Sequence, residues 1–164
     1  MVKRDLLGTN LIIETQAGKA FNLDTVTLSD FVHIPKGSKL VYDFGCGSGA
    51  IMLYLSQKFK GSIEGVELQE HRYIQALKNI ELNNLSNRLK VYHEDLNTFN
   101  KRPLADVIVS NPPFYKVNNE TKRSLDTDME IAKHEIHLNI EGLIKSVKRN
   151  LKQEIKVAQL AGYV

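Results

Sequence analysis

The sequence predicts an α/β protein in which strands alternate with helices around a largely parallel, doubly wound sheet. Three observations predict it. The apolar run Leu40-Val41-Tyr42-Asp43-Phe44 leads straight into Gly45-Cys46-Gly47-Ser48-Gly49, and Ile51, Met52, Leu53, Tyr54, Leu55 and Phe59 follow as a mostly buried helix. Strand, glycine loop and helix together make the first turn of a doubly wound sheet. Two more short strand-like runs, Ser62-Ile63-Glu64-Gly65-Val66 and Leu89-Lys90-Val91-Tyr92, flank a stretch where Tyr73, Ala76, Leu77 and Ile80 recur at helical spacing. A fourth apolar run, Val107-Ile108-Val109, ends in Asn111-Pro112-Pro113-Phe114. Strands separated by helices imply parallel pairing.

The remaining elements follow in chain order. Leu11-Ile12-Ile13 and Ala20-Phe21 flank Gln16-Ala17-Gly18 and predict a hairpin. Asp24 or Thr25 is placed to cap a short helix whose apolar side is Val26, Leu28, Phe31 and Val32. Pro35-Lys36-Gly37 ends that helix, and Asn83-Asn84 ends the one after the second strand. Residues 115–130 are polar and read as a loop beside the Asn-Pro-Pro-Phe segment. Ile140, Leu143, Ile144, Val147 and Leu151 mark a last amphipathic helix. The expected organisation is one domain over 1–164, with an N-terminal hairpin and helix in 1–34 and the core in 35–164.

Composition narrows the class. With 164 residues, 42% hydrophobic and 25% charged, the chain can bury a real core. No apolar run approaches the ~18 residues of a membrane helix, and residues 1–10 are too polar for a secretory signal, so a cytoplasmic protein without a membrane partner is expected. The single cysteine excludes an internal disulfide, and no Cys/His spacing calls for a metal. Cys46 is expected as a small residue packed under a ligand rather than a nucleophile. A net charge of +3 is a mild bias toward polyanions.

The strand ends carry the chemistry. Ligands of open α/β sheets bind outside the carboxyl ends of the strands. The loop itself is ambiguous: Gly45, Gly47 and Ala50 satisfy a dinucleotide pattern, while Asp43 with Gly45, Gly47 and Gly49 satisfies an S-adenosylmethionine pattern. A carboxylate at Asp43 suits the cationic amino group of a methionine moiety and gains nothing from a pyrophosphate. Glu67 ends the second strand 22 residues after Gly45, near the ~20-residue spacing of a carboxylate that holds two ribose hydroxyls. Asp95, after the third strand, suits an adenine amino group, and Leu68 and Leu96 are placed to sandwich the ring. Four successive strands thus end in Asp43, Glu67, Asp95 and Asn111, which favours S-adenosylmethionine. At the fourth tip, two prolines fix φ near −65° and hold Asn111 extended. The carbonyls of Asn111 and Pro112 then form a rigid acceptor cluster beside the Phe114 ring, suited to a planar group that bears an NH2.

These residues resemble the class I S-adenosylmethionine-dependent methyltransferases, whose Rossmann-like fold carries an acid and a glycine loop after the first strand. The N/D-P-P-F/Y motif after the fourth marks the subset that methylates planar nitrogens. Asp5-Leu6-Leu7, Leu11-Ile12-Ile13, Phe21 to Leu28 and Lys133-His134-Glu135 resemble in particular the bacterial tRNA-valine adenine-N6 methyltransferases. The resemblance implies methyl transfer to adenosine N6 in a tRNA anticodon loop, with Asn111, Pro112, Pro113 and Phe114 as the catalytic residues. It also implies a cofactor site of Asp24, Asp43, Gly45, Cys46, Gly47, Gly49, Glu67, Leu68, Asp95, Leu96 and Asn111, with Phe21 helping Asp24 close over the ligand. Rival acceptors are guanine N2 in ribosomal RNA and a protein glutamine amide. Lys3, Arg4, Lys116, Lys122, Arg123 and Lys133 are the candidate phosphate contacts. Relatives continue from the last helix through an L-K-x-G-G turn, a fifth strand and an antiparallel pair. Here Leu151-Lys152-Gln153-Glu154 is followed by room for at most one strand. A core lacking its final antiparallel hairpin is expected, with an exposed edge open to self-association; a cofactor-binding module without turnover is the alternative this raises.

Overall fold

The computed structural model describes residues 1–15, 23–111, 140–152 and 158–160. Strands β1 (Val2–Asp5) and β2 (Ile12–Thr15) form an antiparallel hairpin. Helix α1 (Leu23–Phe31) follows, then β3 (Leu40–Phe44), α2 (Ala50–Lys58), β4 (Ser62–Glu67), α3 (Glu70–Leu82), β5 (Leu89–His93), β6 (Val107–Ser110), α4 (Ile140–Asn150) and β7 (Ala158–Leu160). The main sheet has the order β5-β4-β3-β6-β7, and every pairing in it is parallel. The four strands read from apolar runs are present, and β7 takes the place of the single further strand. An antiparallel closing pair is absent among the described residues.

Strand alternation builds two core layers. Val41, Ile63, Leu89, Val91, Val107 and Val109 face α1, α2 and α3, together with Met52, Leu53, Leu55, Ala76 and Ile80. The intervening residues Tyr42, Phe44, Val66 and Ile108 face the other way, onto Leu96, Phe99 and Leu143 of α4. The Phe99 ring meets those of Tyr42 and Phe44 edge to face at 5.3 Å and 5.9 Å, a geometry that aromatic quadrupoles favour. At the opposite end from the glycine loop, buried Asp106 accepts from the Lys39 and Leu40 amides at 2.6 and 2.9 Å and pairs with Lys152 at 2.7 Å.

Two sequence expectations change, and a third lies outside the described residues. Strand β2 pairs with β1, joined through a turn in which Leu6 N–H donates to the Leu11 carbonyl at 2.8 Å; the expected partner was the Ala20-Phe21 segment. Residues 16–22, including Phe21, lie outside the described residues. The strand β1 was illegible because all four of its residues are exposed, so no alternation marks it. Asp24 and Thr25 sit inside the first turn of α1 rather than capping it. Phe31 is 79% exposed, while Leu28 and Val32 are buried as expected.

Among the described residues, the other edge of β2 is covered by side chains of α3. Asn83 accepts from Ile12 N–H at 2.9 Å and donates to Ile12 C=O at 2.7 Å. One turn earlier, Asn79 does the same for Glu14, at 2.7 and 3.1 Å. The two amides lie four residues apart on α3, so they stack along one face and match alternate β2 residues, which point their backbone groups to the same side. Asn79 Nδ2 also donates to the Ser48 carbonyl at 3.0 Å, tying the hairpin to the glycine loop.

Gly65 marks a close approach. A methyl group there would lie 2.6 Å from Cys46 Sγ and 2.7 Å from Met52 Sδ. Overpacking of that kind costs about 1–3 kcal/mol. Gly65→Ala is therefore expected to lower the urea midpoint without changing the slope of the transition; an unchanged midpoint would show that the glycine loop shifts freely.

Candidate active site

The strand order reverses at β3: β4 and β5 lie on one side of it, β6 and β7 on the other. Open α/β sheets bind ligands at such a switch point, outside the carboxyl ends of the strands. Asp43 is on β3, in register with Gly65 and Val109. Alternation puts Val41 and Asp43, Ile63 and Glu67, and Val107, Val109 and Asn111 on the same face of the sheet, toward α1 and α2. Three of the four tip residues read from the sequence therefore converge.

The glycine loop is shaped by backbone bonds to β4. Gly45 and Cys46 both donate to Val66 C=O, at 2.8 and 3.1 Å, and Gly49 N–H closes on Cys46 C=O at 2.8 Å. Gly45, Gly47 and Gly49 all have positive φ, at 76°, 55° and 82°, a region that other residues rarely enter. A side chain on Gly45 would meet nothing within 4 Å, so the loop is open there, whereas one on Gly47 would lie 3.7 Å from the Arg72 guanidinium and one on Gly49 3.5 Å from Ala76. No side chain caps the start of α2 at Gly49, which leaves its first N–H groups to be satisfied from that side.

Asp43 is fully buried, and among the described residues neither of its carboxylate oxygens has a hydrogen-bond partner. Burial, aided by the nearby Glu67 charge, pushes its pKa up to about 8. A buried carboxyl without a donor is costly, and a cation brought to it through the open loop would restore its charge. The site thus fits a ligand that presents an ammonium group. Glu67 is also buried, but it is satisfied: Oε2 accepts from Gly47 N–H at 2.8 Å and Oε1 from Gln69 N–H at 2.9 Å. Each oxygen keeps a lone pair for a further donor such as a ribose hydroxyl. Burial, Asp43 and Glu67 together push the Cys46 thiol up. A buried protonated thiol is inert, so Cys46 serves by its size, packed against Gly65.

The other expected residues divide. Asp95 is half-buried and accepts from Asn97 N–H at 2.8 Å. Leu68 is 47% exposed beside His93, whose Nε2 lies 2.9 Å from the Leu68 carbonyl and whose ring stacks on Tyr73 at 5.3 Å. Leu96 does not face Leu68 as an opposite wall; its side chain is buried with Phe44 and Phe99. Asp24 is exposed at the start of α1. Asn111 is half-buried just past β6, and its Nδ2 lies 3.4 Å from Thr25 Oγ1. Pro112, Pro113 and Phe114 lie outside the described residues, as do Lys116, Lys122, Arg123, Lys133, His134 and Glu135. Lys3 and Arg4 are exposed on β1. Two contributors were missed: Thr25, and Asn79 beneath the loop. The signal for Asn79 was present, as a pair of asparagines four apart on the inner side of an amphipathic helix. Among the described residues, no group of His, Cys, Asp or Glu could hold a metal ion, and no helix is long and apolar enough to cross a membrane.

A parallel sheet with a glycine loop after its first core strand and acids at adjacent tips defines a nucleoside-cofactor domain of the class I methyltransferase type. The model of the methyltransferase small-domain family matches residues 21–162, and the chain belongs to that family. Two similar proteins are tRNA1(Val) (adenine(37)-N6)-methyltransferases. The one from Aliivibrio salmonicida is 31% identical over 132 residues, 80% of this chain and 55% of that protein. The one from Proteus mirabilis is 32% identical over 135 residues, 80% of this chain and 52% of that protein. The chain thus spans about half the length of these curated relatives. A SAM-dependent methyltransferase from Thiobacillus denitrificans, solved in complex with S-adenosyl-L-homocysteine, shares the fold with a TM-score of 0.56 at 18% identity, covering 79% of this chain and 44% of that one.

The raised pKa of Asp43 gives the site a pH signature. Folded, Asp43 keeps its proton up to about pH 8, against an ordinary value of 3.8. Between those values the native state binds the extra proton, so stability falls as pH rises. Wild type is expected to lose urea resistance from pH 6 to pH 8 relative to Asp43→Asn, in which this slope is removed. Parallel pH profiles of the two proteins would mean that Asp43 is ionised in the fold.

Proposed function

We propose that this chain binds S-adenosylmethionine and transfers its methyl group to the exocyclic N6 of an adenosine in the anticodon loop of a valine tRNA, in the cytoplasm and without a metal. The buried, unpartnered carboxylate of Asp43 beneath the open glycine loop is the observation that carries the cofactor reading. The relatives' names support the acceptor.

In this reading Asp43 holds the cofactor's ammonium, Glu67 its ribose hydroxyls and Asp95 its adenine amino group. Gly45, Gly47 and Gly49 let the backbone come close, and Asp24 lies at the rim. When bound, S-adenosylmethionine supplies a methyl group on a sulfonium, an electrophile that needs no metal. The acceptor amine is a poor nucleophile, because its lone pair is delocalised into the purine ring. Asn111 Oδ1 and the Pro112 carbonyl accept its two N–H bonds and draw the nitrogen toward sp³ geometry, with the lone pair aimed at the methyl. Pro113 keeps the turn rigid, and Phe114 stacks on the base to fix its plane. The C–N bond forms as the S–C bond breaks. The positive charge that arrives on the amine is stabilised by the same two acceptors, and the proton then leaves to solvent. Alignment of this kind can supply ~7–11 kcal/mol of barrier reduction. The base must first leave its stack, at a cost of about a few kcal/mol, which is smaller in an anticodon loop that is already partly unstacked. Single-stranded loops are also where proteins read RNA sequence. Lys3 and Arg4 are the described candidates for phosphate contact.

Two measurements test this. Unmodified tRNA is incubated with labelled S-adenosylmethionine, and the digested nucleosides are analysed by mass. Label in N6-methyladenosine, lost by at least about 100-fold in Asn111→Ala, is the expected result. Label in guanine N2 or in a protein would redirect the acceptor, and binding without transfer would leave a cofactor-binding module. Calorimetric titration is run beside it in buffers of different ionisation enthalpy. Near pH 7 the ammonium should displace the Asp43 proton, so affinity rises with pH toward about 8 and falls above it as the ligand's α-amino group loses its own proton. Asp43→Asn should bind with no proton release. Binding of NAD in place of S-adenosylmethionine would end the methyltransferase reading.

A further inference from the structure

We propose that Thr25 is a positioning residue for Asn111: its hydroxyl engages the NH2 end of the side-chain amide and so turns the carbonyl end toward the ligand edge of the sheet. The inference rests on Asn111 acting as a hydrogen-bond acceptor, as argued above. A primary amide is nearly symmetric in shape but not in chemistry, because its nitrogen only donates and its oxygen only accepts. Turned one way, it offers an acceptor to the incoming amine. Turned the other, it sets donor against donor. The tip of β6 fixes where Asn111 stands but not which end of the amide faces outward.

Thr25 supplies that choice from a segment 86 residues away. Its Oγ1 lies 3.4 Å from Asn111 Nδ2. A hydroxyl can donate as well as accept, so the preference rests on the observed pairing: Thr25 is buried, at 7% exposure, with its oxygen on the Nδ2 side of the amide, and removing the hydroxyl removes the partner that holds that end. Its helix is anchored in turn. Ser29 Oγ donates to the Thr25 carbonyl at 2.7 Å. The Lys58 ammonium, from the end of α2, donates to the carbonyls of Ser29, Asp30 and Val32 at 2.5, 3.1 and 2.9 Å. These groups close the carboxyl end of α1, where backbone acceptors otherwise lack partners. Helix α1 is thus a braced arm fixed to the helix that begins at the glycine loop, and Thr25 is the point where the arm meets the fourth tip.

The test is a pair of substitutions. Thr25→Val keeps the shape and removes the hydroxyl; Thr25→Ser keeps the hydroxyl. If Thr25 orients Asn111, Thr25→Val lowers kcat for methyl transfer by about tenfold or more while KM for S-adenosylmethionine stays within about twofold, and Thr25→Ser restores most of the rate. In nitrogen–proton spectra, the Asn111 side-chain NH2 pair, assigned by its loss in Asn111→Asp, should shift in Thr25→Val and stay in place in Thr25→Ser. Equal rates in wild type and Thr25→Val would overturn the inference and leave the proposed function standing. A wild-type chain that transfers no methyl would instead overturn the proposed function. The amide resonances then decide Thr25 by themselves: an unmoved NH2 pair in Thr25→Val sinks it, and a displaced pair rescued by serine upholds it.

Discussion

The molecule is organised around the carboxyl of Asp43. It lies in the central strand, fully buried, with no donor among the described residues reaching it. The first amides of the glycine loop are directed elsewhere. The Gly45 and Cys46 amides go to Val66, and the Gly47 amide goes to Glu67. A folded protein tolerates such a group only if other packing outweighs it, and here two well-filled layers do so from both faces of the sheet. Sites that violate local rules of polar satisfaction are where function is expected. The loop that follows Asp43 is open at Gly45, the side from which a partner would come.

The placement of the other functional groups follows from period-two geometry. Once Asp43 points toward α1 and α2, parallel register forces Gly65 and Val109 to point the same way. Glu67 and Asn111, two residues further along their strands, inherit that direction. Gly65 is small because Cys46 and Met52 occupy the space a side chain would take. The reversal of strand order then parts β4 from β6 around β3, the place where open α/β sheets bind their ligands.

Much of this was legible in the chain. The four core strands, three of the helices and the acids at their tips were carried by short apolar runs that end in polar residues, a local pattern that survives without tertiary information. The first hairpin was not. Strand β1 is polar and exposed throughout, and what holds it is pairing with β2. The amphipathic reading of α1 failed at Phe31, because α1 buries a narrow side only. The Leu68–Leu96 pair failed for a different reason: proximity to a strand end does not say whether a leucine turns into the core or out to the ligand. Thr25 was invisible as a site residue because its partner is 86 residues away; Asn79 left a local trace in its spacing to Asn83, but its bond to Ser48, 31 residues away, did not.

The amide ladder between α3 and β2 has a consequence for how the protein breathes. Ile12 and Glu14 hand their backbone groups to Asn83 and Asn79 rather than to another strand. Those peptide groups lose their partners only when the helix lets go, which couples the hairpin to the second half of α3. Since Asn79 also grips Ser48, fraying at the amino-terminal end of the chain would be felt in the shape of the ligand loop. An apparently peripheral ribbon is thereby a brace for the floor of the cavity.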